Sequence, residues 1–228
     1  MSTAGASPAP AGFAAAGSAA PASATTAPAN LSEDQTAALQ EIANIGMGQA
    51  GDSIARIWKQ FVALSVPRIA LVESGRIPTL IHHFVGDARV SAARQAFHGA
   101  MRGEVLVVIG RGNRDQLGEL MGYDGQLDLG EEQEMLLDIA NVLGGACIGG
   151  IARQLGADVG FSAPSLIGTD LDSHAVVRPE ELCVSTALCV EVCFTIESNQ
   201  LSAHLIALMP REELVNLVQL LDRFLCNL

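Results

Sequence analysis

One segment of this chain occurs twice, and the repeat constrains the fold more than any other feature. EIANIGMGQAGDSIAR begins at Glu41, and DIANVLGGACIGGIAR begins at Asp138. The two copies are 97 residues apart (138 − 41 = 97), and the same offset takes Pro67 to Pro164. A register without gaps that runs from a helix to a following proline indicates an internal duplication. We therefore predict two halves, each a helix followed by strands.

The first thirty residues differ in composition from the rest of the chain. They are almost entirely Ala, Pro, Ser, Thr and Gly, and beyond the first Met their one large apolar residue is Phe13. Such a segment buries too little apolar surface to offset the entropy of ordering. We predict a disordered tail over residues 1–30 and one domain over 31–228, with repeats at about 31–127 and 128–228.

Charge and composition exclude several classes of partner. The formal net charge is −12, which argues against nucleic acid and anionic membranes as ligands. No run of 18 apolar residues occurs, so no membrane-spanning segment is predicted. The 5 cysteines form no C-x-x-C pair, which is typical of reduced thiols in a cytoplasmic protein.

The hydrophobic periodicity predicts helices and strands in the same order in both halves. A first helix begins after Ser32, with Gln35 as its capping-box partner, and extends to about Phe61. Further helices are expected over 113–121, 131–155 and 211–226. Strands are expected over 62–66, 68–72, 96–103, 104–110, 159–162, 182–197 and 201–209. Because the connections between strands are short, we predict an α+β fold with a mostly antiparallel sheet and pseudo-two-fold symmetry.

Each copy of the repeat places an acid and an amide on one face of its helix. At 100° per residue, Glu41 and Asn44 lie opposite the apolar stripe, and residues three apart have adjacent side chains. Their neighbours on that outer face are all small: Ala37, Gly48, Gly51 and Ala55. In the second copy the outer face carries Glu134, Asp138, Asn141 and Gly145, with Ile148 and Ala152 further along. A face of small residues favours close approach of another surface.

Structural interpretations compete with a functional one. The helical glycines could let the two repeated helices cross, Asn44 and Gly46 could end a short helix, or the faces could form a dimer interface. His82 and His83 lie in a segment interpreted as a strand, where neighbours point to opposite faces, so no metal site is predicted there. The chain has no phosphate-binding G-x-x-x-x-G-K-[ST] loop and no G-x-S-x-G elbow.

The duplicated Glu-x-x-Asn followed by Ile-Gly-x-Gly resembles the CheC-type chemotaxis phosphatases, a family that includes CheX and FliY. The resemblance covers about residues 31–228. It implies a CheC-like fold and hydrolysis of the aspartyl phosphate of a CheY-like receiver domain. By position, Glu41 and Asp138 anchor the receiver, Asn44 and Asn141 orient the attacking water, and the partner's Mg²⁺ is the one metal involved. A CheD-type deamidase is a further candidate partner.

Two departures from the family pattern leave an alternative open. The position four residues before the acid is often Asp or Ser in the family, whereas here it is Ala37 or Glu134. The second copy has Asp138 in place of Glu, so its carboxylate reaches about 1.5 Å less. We therefore expect the first site to be the stronger. The alternative is a non-catalytic binding module, similar to the flagellar switch protein FliM.

Overall fold

The computed structural model describes residues 31–86, 89–110, 118–119, 122, 128–179, 186–196 and 201–227. The predicted tail over 1–30 lies outside these residues, and so does nearly all of the helix predicted over 113–121. The helices are α1 (Glu33–Trp58), α2 (Ile77–Val85), α3 (Leu129–Gln154) and α4 (Leu214–Leu225). The strands are β1 (Val62–Leu64), β2 (Arg68–Glu73), β3 (Arg89–Gly99), β4 (Gly103–Gly110), β5 (Val159–Phe161), β6 (Ser165–Asp172), β7 (Thr186–Ile196) and β8 (Leu201–Pro210).

The strands form a single eight-stranded sheet in which every pair is antiparallel. Its order is β1-β7-β8-β4-β3-β5, while β2 pairs with β7 and β6 pairs with β3. The order is symmetric about the β8-β4 pair: β1, β2 and β3 begin at Val62, Arg68 and Arg89, and β5, β6 and β7 begin 97 residues later. The predicted α+β class with an antiparallel sheet is confirmed. The duplication event itself stays a prediction.

Both long helices begin with the capping signal that the sequence predicts for the first of them. Ser32 Oγ accepts a hydrogen bond from the Gln35 amide at 3.1 Å, and Gln35 Oε1 accepts one from the Ser32 amide at 3.0 Å. Asp128 and Glu131 make the same reciprocal pair at the start of α3. Helix α1 ends earlier than predicted, because Lys59 takes a left-handed conformation with φ of 54°. Phe61 is therefore not part of the helix stripe and is 73% exposed.

The two faces of the sheet bury separate apolar clusters. Alternation along the strands divides them, so Val105 and Val107 of β4 face the long helices while Leu106 and Val108 face α2. Helices α1, α3 and α4 cover the first face, and Ile42 and Ile139 are fully buried there. Burial of one such side chain stabilises the fold by about 1.5–3 kcal/mol. The two helices that carry the acid–amide pairs are therefore held against the sheet by this buried apolar cluster.

Helices α1 and α3 cross where two glycines meet. A Cβ added to Gly46 would lie 2.8 Å from the Ile151 nitrogen, and one added to Gly150 would lie 2.6 Å from the Gly46 carbonyl oxygen. The structural interpretation of Gly46 as a helix-crossing residue is confirmed. The proposed helix end at Asn44 and Gly46 is wrong, because α1 continues through Trp58.

The sequence does not predict two elements, α2 and β6, and the strand predicted over 96–103 is wrong in its bounds, because β3 covers Arg89–Gly99 and β4 begins at Gly103. The histidine pair therefore lies on a helix and not on a strand, with Pro78 in the first turn and Gly86 as the left-handed C-cap. His82 Nδ1 lies 2.7 Å from Ser173 Oγ, and its ring stacks on His174 at 4.3 Å. Across the residues that the structure describes, no group of three or more His, Cys, Asp or Glu side chains is arranged to hold a metal ion.

A buried charged pair lies on the sheet face opposite the long helices. Glu191 of β7 is fully buried, and its Oε1 lies 2.9 Å from Nδ1 of His204 on β8. Burial alone would lower the pKa of His204, but its hydrogen bonds to Cys193 and Glu191 outweigh that and raise the pKa to about 9. Arg68 approaches the other Glu191 oxygen at 3.7 Å. The pair contributes to stability in a pH-dependent way.

Helix α3 is long and apolar enough, by length and composition, to cross a membrane. However, 61% of its most apolar 18-residue window is buried inside the protein, against α1 and the sheet. This burial is typical of a core helix.

Candidate functional site

The structure places the first acid–amide pair on an open surface of α1. Glu41 and Asn44 are both exposed, and so are their neighbours Ala37 and Gly48. Three residues apart on a helix, the two side chains are about 5–6 Å apart at their Cβ atoms. A single group on another protein can therefore contact both.

The second pair has the same placement on α3. Asp138, Asn141 and Glu134 are exposed, and Gly145 is half-buried. Each pair is brought together by its own helix. Because neither Asn is buried against another helix in the chain, the interpretation of these faces as helix-packing surfaces loses its main support.

Only part of the predicted small-residue face is in fact open. A Cβ added to Gly48 or to Gly145 would meet no atom within 4 Å, so both positions border free space. In contrast, Gly51 is buried against Leu64, whose Cδ1 lies 3.0 Å from an added Cβ. Ile148 and Ala152 are also buried, which corrects their predicted place on the outer face.

The acids of both pairs are free to contact a partner. Within the described part of the chain, neither Glu41 nor Asp138 forms an ion pair with a basic side chain. Glu41 also borders a shallow groove between α1 and α4. Its other lining residues include Asp34, Ala37, Ile45 and Phe224. Since Ile45 is 39% exposed, the surface beside Glu41 combines apolar contact with negative charge.

The two amides differ in their surroundings, a difference that the sequence does not predict. No hydrogen bond to Asn44 occurs among the described residues. Asn141 Oδ1 instead accepts a hydrogen bond of 3.0 Å from Gln95 Nε2 on β3. Gln95 is 46 residues from Asn141, and no local motif marks it. Gln95 precedes the strand predicted over 96–103 by one residue, so no predicted element marks it either.

The fold and the two pairs together define a class of protein. Two long capped helices lie on one face of an eight-stranded antiparallel sheet, and each presents an acid–amide pair to solvent. Among the described residues, no group of three or more His, Cys, Asp or Glu side chains could hold a metal ion. The groups that the two pairs expose are carboxylates and carboxamides, which can form ion pairs and hydrogen bonds with another molecule.

Comparisons with known proteins agree with this class. The model of the CheC-like family matches residues 35–70, the segment that contains the first acid–amide pair. The fold is similar to FliY of Thermotoga maritima, with a TM-score of 0.60 and 15% identity over 85% of this chain and 98% of that one. The resemblance to the CheC-type family that the sequence predicts is thus confirmed.

Two further structures share the fold. A chemotaxis protein CheX from Desulfovibrio desulfuricans has a TM-score of 0.50 and 13% identity, over 74% of this chain and 99% of that chain. The middle domain of FliM from H. pylori has a TM-score of 0.56 and 8% identity, over 83% and 99%. At these identities the likeness establishes the fold, and the site residues have to decide the activity.

Proposed function

We propose that this protein is a phosphatase that hydrolyses the aspartyl phosphate of a CheY-like receiver domain in chemotaxis or two-component signalling. The observation that carries the proposal is the exposed Glu41 and Asn44, without partners among the described residues, in the segment that matches the CheC-like family. The reaction takes place in the cytoplasm, and the receiver supplies the Mg²⁺.

Glu41 anchors the receiver. Its carboxylate is free to pair with a Lys beside the phosphoaspartate, and the groove next to it offers apolar contact. An ion pair between exposed groups contributes about 1 kcal/mol or less, so the anchor sets orientation more than affinity. Ala37 and Gly48 keep the surface low enough for the receiver to reach two short side chains.

Asn44 orients the attacking water. A carboxamide is a weak base, so it does not remove the proton; it fixes the water in line with the phosphorus by hydrogen bonds. Phosphoryl transfer through a loose transition state depends on positioning and charge stabilisation more than on covalent chemistry. Fixing one water lowers the entropic part of the barrier. Since the Asn44 amide has no partner within the described part of the chain, both its donor and its acceptor are available for this role.

Asp138 and Asn141 form a second, weaker site. The shorter Asp side chain reaches about 1.5 Å less far, so its contact to a receiver Lys is lost or bridged by water. Glu134 and Gly145 would border the docked receiver there. We expect this site to contribute less to receiver dephosphorylation than the Glu41 and Asn44 site.

A second candidate is a binding module without catalysis. The fold similarity to the FliM middle domain favours it, because that similarity is as strong as the similarity to CheX. In this case Glu41 and Asn44 would still contact a receiver, or a CheD-type deamidase, but would not shorten the lifetime of the phosphate. Binding without turnover separates the two functions.

Separate Asn44→Ala and Asn141→Ala variants test the proposal. Purified CheY-type receivers are radiolabelled on the aspartate, and the phosphate is followed over time in Mg²⁺ with wild-type or variant protein. We expect Asn44→Ala to remove most of the activity and Asn141→Ala to remove a smaller part. Equal losses would contradict the ranking, and tight binding without any effect on the phosphate would support the binding module.

A further inference from the structure

Gln95 is a buried polar side chain that bridges a strand and the second site. It lies on β3 and is 2% exposed. Its Nε2 donates one hydrogen bond to Asn141 Oδ1 at 3.0 Å and another to the Ser162 carbonyl oxygen at 2.9 Å. These two bonds use both hydrogens of the amide group.

The Ser162 carbonyl determines which way both amides point. A backbone carbonyl only accepts hydrogen bonds, so the Gln95 atom that faces it has to be the nitrogen. The same nitrogen faces Asn141, which therefore turns its oxygen toward Gln95 and its amino group away from it. Asn141 is thus held in one of its two amide orientations, with the second lone pair of its oxygen still available.

The contact between Gln95 and Asn141 joins the two repeats, and the symmetry-related positions do not repeat it. A Cβ added to Gly144 would lie 2.7 Å from Gln95 Oε1, so Gly144 makes space for the glutamine. The equivalent residues, 97 positions away, are Met47 on α1 and Val192 on β7, both buried. At that position the helix residue, Met47, is large and the strand residue, Val192, is smaller. At the Gln95 position the sizes are reversed, because the helix residue is Gly144 and the strand residue is Gln95.

Gln95 also leaves a polar atom without a partner. Its Oε1 is buried and has no hydrogen-bond partner among the residues that the structure describes. A buried unsatisfied acceptor destabilises the folded state, and an apolar side chain of similar size would avoid that cost. The presence of Gln95 is therefore better explained by what its nitrogen holds than by stability.

We infer that Gln95 is a positioning residue that preorganises the Asn141 amide of the second site. The inference rests on the proposed phosphatase function. Because the side chain is fixed before the receiver docks, less freedom is lost when the water is oriented. Gln95 therefore raises kcat at the second site and partly offsets the shorter reach of Asp138, which affects KM.

The test replaces Gln95 by Leu in two matched backgrounds. In Asn44→Ala protein, where only the second site is active, we expect Gln95→Leu to lower kcat roughly five-fold and to leave KM for the phosphorylated receiver unchanged. In Asn141→Ala protein, where only the first site is active, the same substitution leaves both constants unchanged. A structural defect would lower the activity in both backgrounds, so equal losses would overturn the inference, as would no loss in either.

A second readout does not depend on catalysis. In the NMR spectrum of the full chain, the side-chain NH₂ hydrogens of Gln95 should exchange slowly with water, because both are donated in a buried site. Asn141→Ala should speed that exchange, and unaltered exchange would overturn the contact. If the wild-type protein does not dephosphorylate any receiver, the proposed function fails and the catalytic role of Gln95 fails with it. Activity of the Asn44→Ala protein that is insensitive to Gln95→Leu overturns the inference alone.

Discussion

Two glycines on the same helix are expected to respond in opposite ways to the same substitution. Gly46 lies at the crossing of α1 and α3, where an added Cβ would be 2.8 Å from the Ile151 nitrogen and 2.9 Å from the Gly150 carbonyl carbon. Gly48 is two residues further along, and an added Cβ there would meet nothing within 4 Å. The pair thus separates the glycine that packs the helices from the glycine that opens the outer face.

The two variants share one energy term, the higher helix propensity of Ala, and differ in a second term, the packing of the added methyl group. Replacing a helical Gly by Ala stabilises a helix by up to about 1 kcal/mol at either position. At Gly46 the methyl group meets backbone atoms, which cannot rotate away, and overpacking of this kind costs about 1–3 kcal/mol. Gly48→Ala should therefore raise the free energy of unfolding, and Gly46→Ala should lie about 1–3 kcal/mol below it.

Urea unfolding of the two variants, followed by circular dichroism, measures this difference directly. The common helix-propensity term cancels, so the difference reports the crossing alone. If Gly46→Ala proves as stable as Gly48→Ala to within about 0.5 kcal/mol, the close glycine contact does not exist in the protein. A less stable Gly48→Ala would in turn contradict the open face beside Asn44.

His204 binds its proton more tightly in the folded than in the unfolded protein, so its pair with Glu191 stabilises the fold fully below about pH 6.5. This stabilisation, at most about 3 kcal/mol, is lost as the pH rises through about 9. Unfolding at several pH values, with Glu191→Gln as the control, measures the loss. Asp138→Glu in an Asn44→Ala background should lower KM for the phosphorylated receiver, and an unaltered KM would argue against a carboxylate anchor. Ser32→Ala should reduce the free energy of unfolding by about 1 kcal/mol through loss of the N-cap, as thermal unfolding would show.

Local signals in the sequence were sufficient for the long helices and most of the strands. The capping box at Ser32 identifies the start of α1, the apolar stripes identify α1 and α3, and the offset of 97 residues aligns their strands. The sequence does not predict helix α2 because IPTLIHHFV is a mostly apolar run of 9 residues, too short for its periodicity to distinguish a helix from a strand. Strand β6 was missed because its pairing with β3 is interrupted by register shifts and Asp170 has a φ of 53°.

The part of the candidate site that the sequence predicts depends on local helix geometry, and the part that it does not predict depends on three-dimensional packing. Glu41 and Asn44 could be predicted as an exposed pair because helical geometry alone places them together. The burial of Gly51 and Ile148 could not, since it depends on which neighbours pack beside the helix. The contact between Gln95 and Asn141 also depends on the three-dimensional packing of β3 against α3, which no pattern within either segment encodes.

One measurement tests the central claim most directly: the lifetime of the aspartyl phosphate on a CheY-type receiver, in Mg²⁺, with no added protein, with wild-type protein, and with the Asn44→Ala/Asn141→Ala double variant. The proposed function predicts a shorter lifetime with the wild type and the unassisted lifetime with the double variant, while both proteins still bind the receiver. A wild-type protein that leaves the lifetime unaltered on every receiver tested, or a double variant that shortens it as much as the wild type does, would contradict the claim.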